Sequence, residues 1–224
     1  MSPKRVIETC LVKDLDIVAI CDHNSAENVR AAIDVARETK LQVIPGMEIS
    51  SAEEVHIIAL MPDYEAVMSL QDMIYENLTP GENDESIFGE QIIVNELDEI
   101  EGYNKRLLIS ATLLPVSKVV NEIHSRGGLA IASHVDREVY SIIGQLGFIP
   151  ENLPLDALEI SSSTTLSQAK ARFPDIKAYP LISSSDAHYL DDIGKSTSQF
   201  NVENPSLGEL SKALKGVDGR SIVA

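Results

Sequence analysis

Tryptophan is absent from the sequence, and Phe, Tyr and Trp together make up 4% of it. A core without large rings must be filled by Val, Ile, Leu and Ala, and the 44% hydrophobic content supplies them. Basic residues are scarce, with 18 Lys and Arg against 35 Asp and Glu, for a formal net charge of −17. That balance makes long nucleic acid and anionic membranes poor electrostatic partners, although bound cations can invert the field around a phosphate. There are two cysteines, Cys10 and Cys21, both in apolar patterns. They read as buried free thiols with no disulfide framework, which suits a reducing cytoplasm. No apolar run is long enough to span a membrane, and Glu8, Lys13 and Asp14 interrupt any signal-like segment after Lys4 and Arg5. Gly-x-Ser-x-Gly and P-loop signatures are missing, as is any repeat at solenoid spacing. The 224 residues suit one α/β domain spanning residues 1–224.

What is present is a series of short apolar runs, each stopping at a metal-capable side chain. Ile17–Cys21 leads into Asp22-His23-Asn24, and Leu41–Pro45 leads into Gly46-Met47-Glu48. Val55–Leu60 carries His56 near its start. Leu129–Ser133 ends at His134, and Leu181–Ser184 runs into Ser185-Asp186-Ala187-His188. A further run, Leu155–Ile160, ends in the Ser161–Thr165 stretch. Runs of this length and composition suit buried strands. Helical periodicity separates most of them: Val6, Ile7, Cys10 and Leu11 behind a Ser2-Pro3 start; Val29, Ala32, Ile33 and Ala36 after a possible Ser25 cap; Val67, Leu70 and Ile74; Val116, Val119, Val120 and Ile123; and Leu207, Leu210 and Leu214 before Gly216. Strands alternating with helices predict an α/β sheet whose chemistry gathers at the strands' carboxyl ends. Glu76–Gly102 breaks the pattern with nine acids and no Lys or Arg, and reads as an acidic insertion: a lid, a mobile loop or simply a solvated surface.

Four of the five histidines, His23, His56, His134 and His188, fall in or just beyond a strand, and Glu48 and Asp186 share the pattern. Neutral imidazoles with carboxylates suit Zn²⁺, Mn²⁺ or Fe²⁺. An extended Asp186-Ala187-His188 would send both ligands to one face. His124 is the control, since a histidine near a helix end is explained by the helix dipole. Asp22 and Asn24 either orient His23 from outside the ligand shell or cap a helix. Arg137 either clamps a phosphate or makes a surface ion pair, and Lys195 is a weaker substrate-binding candidate.

Taken together, Ile17–Asn24, Pro45–Glu48, Val55–Ile58, Gly127–His134 and Ser185–His188 resemble, in order, the motifs of the polymerase and histidinol phosphatase (PHP) family of metal-dependent phosphoesterases. The resemblance implies a distorted seven-stranded β/α barrel with up to three divalent metals at the strands' carboxyl ends. It implies hydrolysis of a phosphate ester by a metal-activated water. It assigns Glu48, His56 and His134 to one metal, Asp186 and the shared Glu48 to a second, and His23 and His188 to a third. The family's opening strand with its His-x-His pair has no counterpart. The expectation is therefore a barrel lacking its first strand, Met1 being an internal methionine of a longer protein, and a chain less active than its relatives. The expected substrate is a small phosphate ester, a nucleotide or other phosphometabolite. A non-catalytic regulatory or binding module and a metal-dependent hydrolase of C–N bonds are the rival readings.

Overall fold

Ser2 caps the first helix as its sequence suggests, its hydroxyl accepting from the Arg5 N–H with Pro3 in the first turn. A computed structural model describes residues 1–223. The elements run α1 (Pro3–Val12), β1 (Ile17–Ile20), α2 (Val29–Ala36), β2 (Gln42–Ser50), β3 (His56–Leu60), α3 (Tyr64–Glu76), α4 (Glu85–Phe88), β4 (Ile92–Val94), β5 (Ile100–Tyr103), α5 (Val116–Ser125), β6 (Leu129–Ala132), α6 (Ile142–Leu146), β7 (Ala157–Ile160), α7 (Leu166–Arg172), β8 (Leu181–Ser183), β9 (Gln199–Asn201), α8 (Leu207–Lys215) and β10 (Ser221–Val223). Six strands make one sheet in the order β1-β2-β3-β6-β7-β8. β1 and β2 are parallel, as are β6, β7 and β8, while β3 pairs antiparallel with both β2 and β6. The sheet curls strongly: β1 and β8 are its two edges, yet the His23 and His188 rings that follow them lie 6.4 Å apart. This is a distorted, barrel-like α/β sheet, as the sequence predicts.

Reversal of β3 has a direct consequence. The amino end of β3 shares a rim with the carboxyl ends of the other five strands, so His56, its first residue, joins His23 and His134. β2 also departs from expectation, continuing through Pro45-Gly46 to Ser50 so that Glu48 sits within the strand. Gly46 makes this possible, because a Cβ there would lie 2.6 Å from Cys21 Sγ. Helix α2 starts at Val29 behind Asn28, so Ser25 does not cap it and instead bonds the Tyr75 hydroxyl.

The strands' period of two sorts the core. Met47, Ile49, Ile57, Ala59, Ala130, Ala132, Leu158 and Ile160 face α3 and α5, while Val18, Ile20 and Val43 meet α1 and α2. The alternate residues Ile17, Ala19, Ile44, Ile58, Leu129 and Ile131 pack on the other face with Leu207, Leu210 and Leu214 of α8. Apolar residues and α8 thus fill one end of that face, and polar side chains remain at the rim.

Helix α8 is pinned by Glu209, 5% exposed, which accepts from Arg220 Nε (2.7 Å), the Glu203 N–H (3.0 Å) and Lys212 Nζ (2.9 Å). The Arg220 bond, with the others, holds its pKa down at about 2 against an ordinary 4.5. A depressed carboxylate contributes stability that is complete above its unfolded pKa and fades as pH falls toward the folded one. Wild type should therefore exceed Glu209→Gln in melting temperature above about pH 4.5, with the gap closing toward pH 2. A gap independent of pH would show that the ion network contributes nothing.

The acidic stretch Glu76–Gly102 has secondary structure of its own. It forms a lobe of α4 and the β4–β5 hairpin, and its nine acids all face solvent. Amides tie it to the barrel: Asn28 Nδ2 donates to Ile92 O (3.0 Å) and Asn28 Oδ1 accepts from Val94 N (3.1 Å). β5, and the β9–β10 hairpin beside α8, have no clear apolar alternation and escape a sequence reading. Among the described residues, no helix is long and apolar enough to cross a membrane.

Candidate metal centre

At the rim, the polar parity of β2 and β3 brings Glu48 and His56 onto the face shared with Ile44 and Ile58. Glu48, 6% exposed, meets three imidazoles: its Oε2 lies 3.3 Å from His23 Nδ1, and its Oε1 lies 3.3 Å from His56 Nδ1 and 3.6 Å from His134 Nε2. Ring centroids are 5.2 Å apart for His23 and His56, and 5.5 Å for His56 and His134. One ligand atom each from His23, Glu48 and His56 fits within a mutual 4.8 Å. The Nδ1 atoms of His23, His56 and His134 are buried without a hydrogen-bond partner. Buried polar atoms are rarely left so; the Nδ1 atoms of His23 and His56 both face Glu48, while His134 turns Nε2 to it, and imidazoles around one carboxylate fit a divalent cation by their chemistry.

Electrostatics favour the ligand form of these groups. Burial pushes the Glu48 carboxyl up, but the His134 and His56 rings turned toward it, with His23, outweigh it and hold the group well below the usual range. Burial, with His56 and His188 adding to it, lowers His23 despite the pull of Glu48, so its imidazole is neutral near pH 7 and its lone pair is free.

The remaining sequence candidates divide. Asp186 follows β8 and forms an ion pair at 2.6 Å with Arg137, so the two proposed roles, cation ligand and phosphate clamp, meet in one contact. His188 is exposed, its Nδ1 3.1 Å from Asp186 O. Asp186 has a φ of +44°, so the Asp186–His188 segment turns rather than extends; the turn keeps both residues at the rim. Asp22 opens onto a cavity, and its carbonyl accepts from Glu48 N (3.1 Å). Asn24 is fully buried and bonds the lobe rather than His23. Lys195 pairs with Asp192 on the exposed surface, and His124 pairs with Asp156 (2.8 Å) away from the cluster.

Two residues at the rim escape the sequence reading. Glu159, 2% exposed, accepts from the His134 N–H (3.1 Å) and from the Ser184 hydroxyl. It braces His134, which is held at a φ of +30°. The available signal was an acid set between Leu158 and Ile160 in the run Leu155–Ile160, which also holds Asp156. Tyr140 stacks on His56, with centroids 4.7 Å apart and planes at 13°, and its carbonyl accepts from the His56 N–H (2.9 Å). Nothing in the local sequence marks it.

No family model matches the sequence. The uncharacterized protein YqxK of Bacillus subtilis (strain 168) is 30% identical over 108 residues, 46% of this chain and 28% of that protein. The lesion-specific endonuclease PfuEndoQ of Pyrococcus furiosus superposes with a TM-score of 0.75 at 17% identity, over 99% of this chain and 53% of that one. A two-domain protein of Bacteroides vulgatus containing a PHP-like metal-dependent phosphoesterase matches with a TM-score of 0.50 at 14% identity, over 95% of this chain and 57% of that one. A protein of Bifidobacterium adolescentis assigned as a metal-dependent phosphoesterase gives 0.57 at 18% identity, over 88% and 86%. This chain has the PHP-like phosphoesterase fold. It spans about half the length of the endonuclease and about a quarter of the Bacillus protein. An Endonuclease Q structure, similar at a TM-score of 0.75 and 18% identity, holds a 27-mer duplex with an abasic lesion at its active site. The PHP-like fold therefore serves a DNA-cleaving protein, and net acidity alone is no ground for setting nucleic acid aside here.

Proposed function

We propose that this PHP-like chain hydrolyses a phosphate ester at a divalent-cation centre held by His23, Glu48, His56 and His134, with Asp186 and His188 on the β8 side. The observation that carries the reading is the pair of buried, unpartnered Nδ1 atoms of His23 and His56 on either side of Glu48, with His134 Nε2 3.6 Å from the same carboxylate. A divalent cation (Zn²⁺, Mn²⁺ or Fe²⁺) would supply charge against the phosphoryl oxygens and lower the pKa of a bound water. The chain's own residues do the rest. Glu48 orients the imidazoles, Glu159 fixes His134, and Tyr140 shields one face of His56. Arg137, beside Asp186, offers a planar guanidinium to phosphoryl oxygens. The substrate is a small phosphate ester, for the acidic lobe beside the rim opposes a long polyanion.

The test is to strip the purified chain with chelator, reload it with each metal, and follow an aryl phosphate, an aryl amide and an abasic duplex side by side. Metal-dependent turnover of the aryl phosphate alone is expected. Stoichiometric metal without turnover of any of the three would select the non-catalytic module, a reading that the Arg137–Asp186 ion pair favours because it ties up both side chains.

A further inference from the structure

We propose that the space between the acidic lobe and the barrel rim receives the alcohol portion of the ester, accepting an uncharged, ring-sized group that carries N–H or O–H donors and refusing a second anion. The proposal rests on the phosphoesterase reading for the phosphate that would sit next door.

A cavity of about 340 Å³ opens beside His23. That is near the lower end of the roughly 300–1,000 Å³ of small-molecule sites, enough for one ring system and too little for several nucleotides. Its lobe wall is apolar and open to solvent: Phe88 and Ile109 are 53% and 51% exposed, and Ile92 adds to them. Apolar surface left open inside a concavity favours a partly apolar occupant.

The polar lining decides which kind. Three amides face the cavity, and each amide nitrogen has two hydrogens to give. Asn28 gives one hydrogen to Ile92 O (3.0 Å) and lines the cavity together with Asp22. Asn104 gives to Glu27 Oε2 (2.7 Å) and the Tyr75 hydroxyl (2.8 Å). Gln91 gives to the carbonyls of Asn104 (2.8 Å) and Arg106 (2.7 Å). The amide donors of Asn104 and Gln91 are therefore spent within the junction, and one of the two on Asn28. What stays open is Gln91 Oε1 and the carboxylates of Asp22 and Glu27, and neither carboxylate has a Lys or Arg within ion-pair distance among the described residues. An anionic group would meet two carboxylates and the Gln91 amide oxygen with no Lys or Arg in the lining, leaving the Ser25 hydroxyl, the His23 ring and one Asn28 hydrogen as donors, whereas an N–H or O–H would meet the unmatched acceptors. Leaving a desolvated polar group unmatched costs enough for about tenfold discrimination or more.

Fluorescence titration with 6-amino-2-naphthol, and with 6-hydroxynaphthalene-2-sulfonate as the same ring bearing an anion, tests this with neither metal nor turnover. The amino compound should bind saturably and the sulfonate about tenfold or more weakly. Ile109→Trp, at an exposed loop position, should fill the cavity and weaken the amino compound by a similar factor. Glu27→Gln, which keeps an acceptor for Asn104, should narrow the gap between the two rings. Equal affinities, no saturable binding, or an Ile109→Trp chain that binds like wild type would overturn the proposal. A chain that hydrolyses methyl phosphate but shows no ring selectivity loses this inference and keeps the phosphoesterase reading; a selective cavity on a chain that never hydrolyses does the opposite.

Discussion

Glu48→Gln should abolish tight divalent-cation binding while leaving a folded protein. The carboxylate contacts His23, His56 and His134 at 3.3, 3.3 and 3.6 Å, so the substitution removes the one negative charge shared by all three imidazoles. Loss of a residue that merely orients a ligand typically weakens metal binding about 10–100-fold; loss of this central group should weaken it at least about a hundredfold, beyond that range. Calorimetric titration measures the change. Thermal denaturation gives a second, independent reading: wild type at a hundredfold excess over its Kd should gain about 2.7 kcal/mol from the cation, and Glu48→Gln should gain almost nothing. The metal-free variant should melt slightly below wild type, because the folded protein holds the Glu48 carboxyl well below its ordinary pKa and so favours its ionised form. His124→Ala is the control, since His124 pairs with Asp156 outside the cluster. Wild-type affinity in Glu48→Gln, or an equal loss in His124→Ala, would remove the basis for the centre.

Much of this centre is legible in the sequence because two independent regularities coincide. Apolar runs mark strands, and histidines at run boundaries mark a rim, so His23, His134 and His188 can be located without coordinates. His56 is harder, since it opens its strand rather than closing it. Its place depends on β3 running against its neighbours, and strand direction leaves no trace in local composition. Glu48 is legible as a ligand, but Pro45-Gly46 disguises the strand that carries it; the glycine is there for the approach of Cys21, a tertiary reason. Glu159 and Tyr140 act through contacts with residues far away in sequence, which no spacing rule reaches. The acidic stretch misleads in another way. Its charge describes its outer face correctly, but its attachment to the barrel comes from asparagines on both sides of the junction, whose side chains satisfy backbone groups that the lobe leaves open.

Asn24 is where that junction should fail first. It is fully buried at a φ of +49°; its Nδ2 donates to the carbonyls of Leu108 (2.9 Å) and Ser110 (2.8 Å), its Oδ1 accepts from Ser50 N (3.1 Å), and its own N–H reaches Glu48 O (2.8 Å). One side chain thus joins the end of β1, the end of β2 and the root of the lobe. Asn24→Ala strands one donor and two acceptors, at about 1–3 kcal/mol for a buried group left unmatched, and puts Ala in a left-handed conformation that costs about 1–2 kcal/mol more. With some relief from entering water, a net loss of about 3–5 kcal/mol is expected, a large share of the roughly 5–15 kcal/mol that holds a domain folded. Asn24→Gly keeps the same missing bonds without the backbone strain, so the difference between the two variants isolates that strain at about 1 kcal/mol. Hydrogen exchange locates the damage: the amides of Val94, bonded to Asn28, and Thr112, bonded to Ser50 O, should lose protection before those of β6 and β7. Cation affinity should fall with them, because Ser50 and Glu48 lie on the strand end that Asn24 steadies. Preserved protection at Val94 and Thr112 in a destabilised Asn24→Ala chain would mean that the lobe is held by its own hairpin, and that Asn24 serves the rim alone.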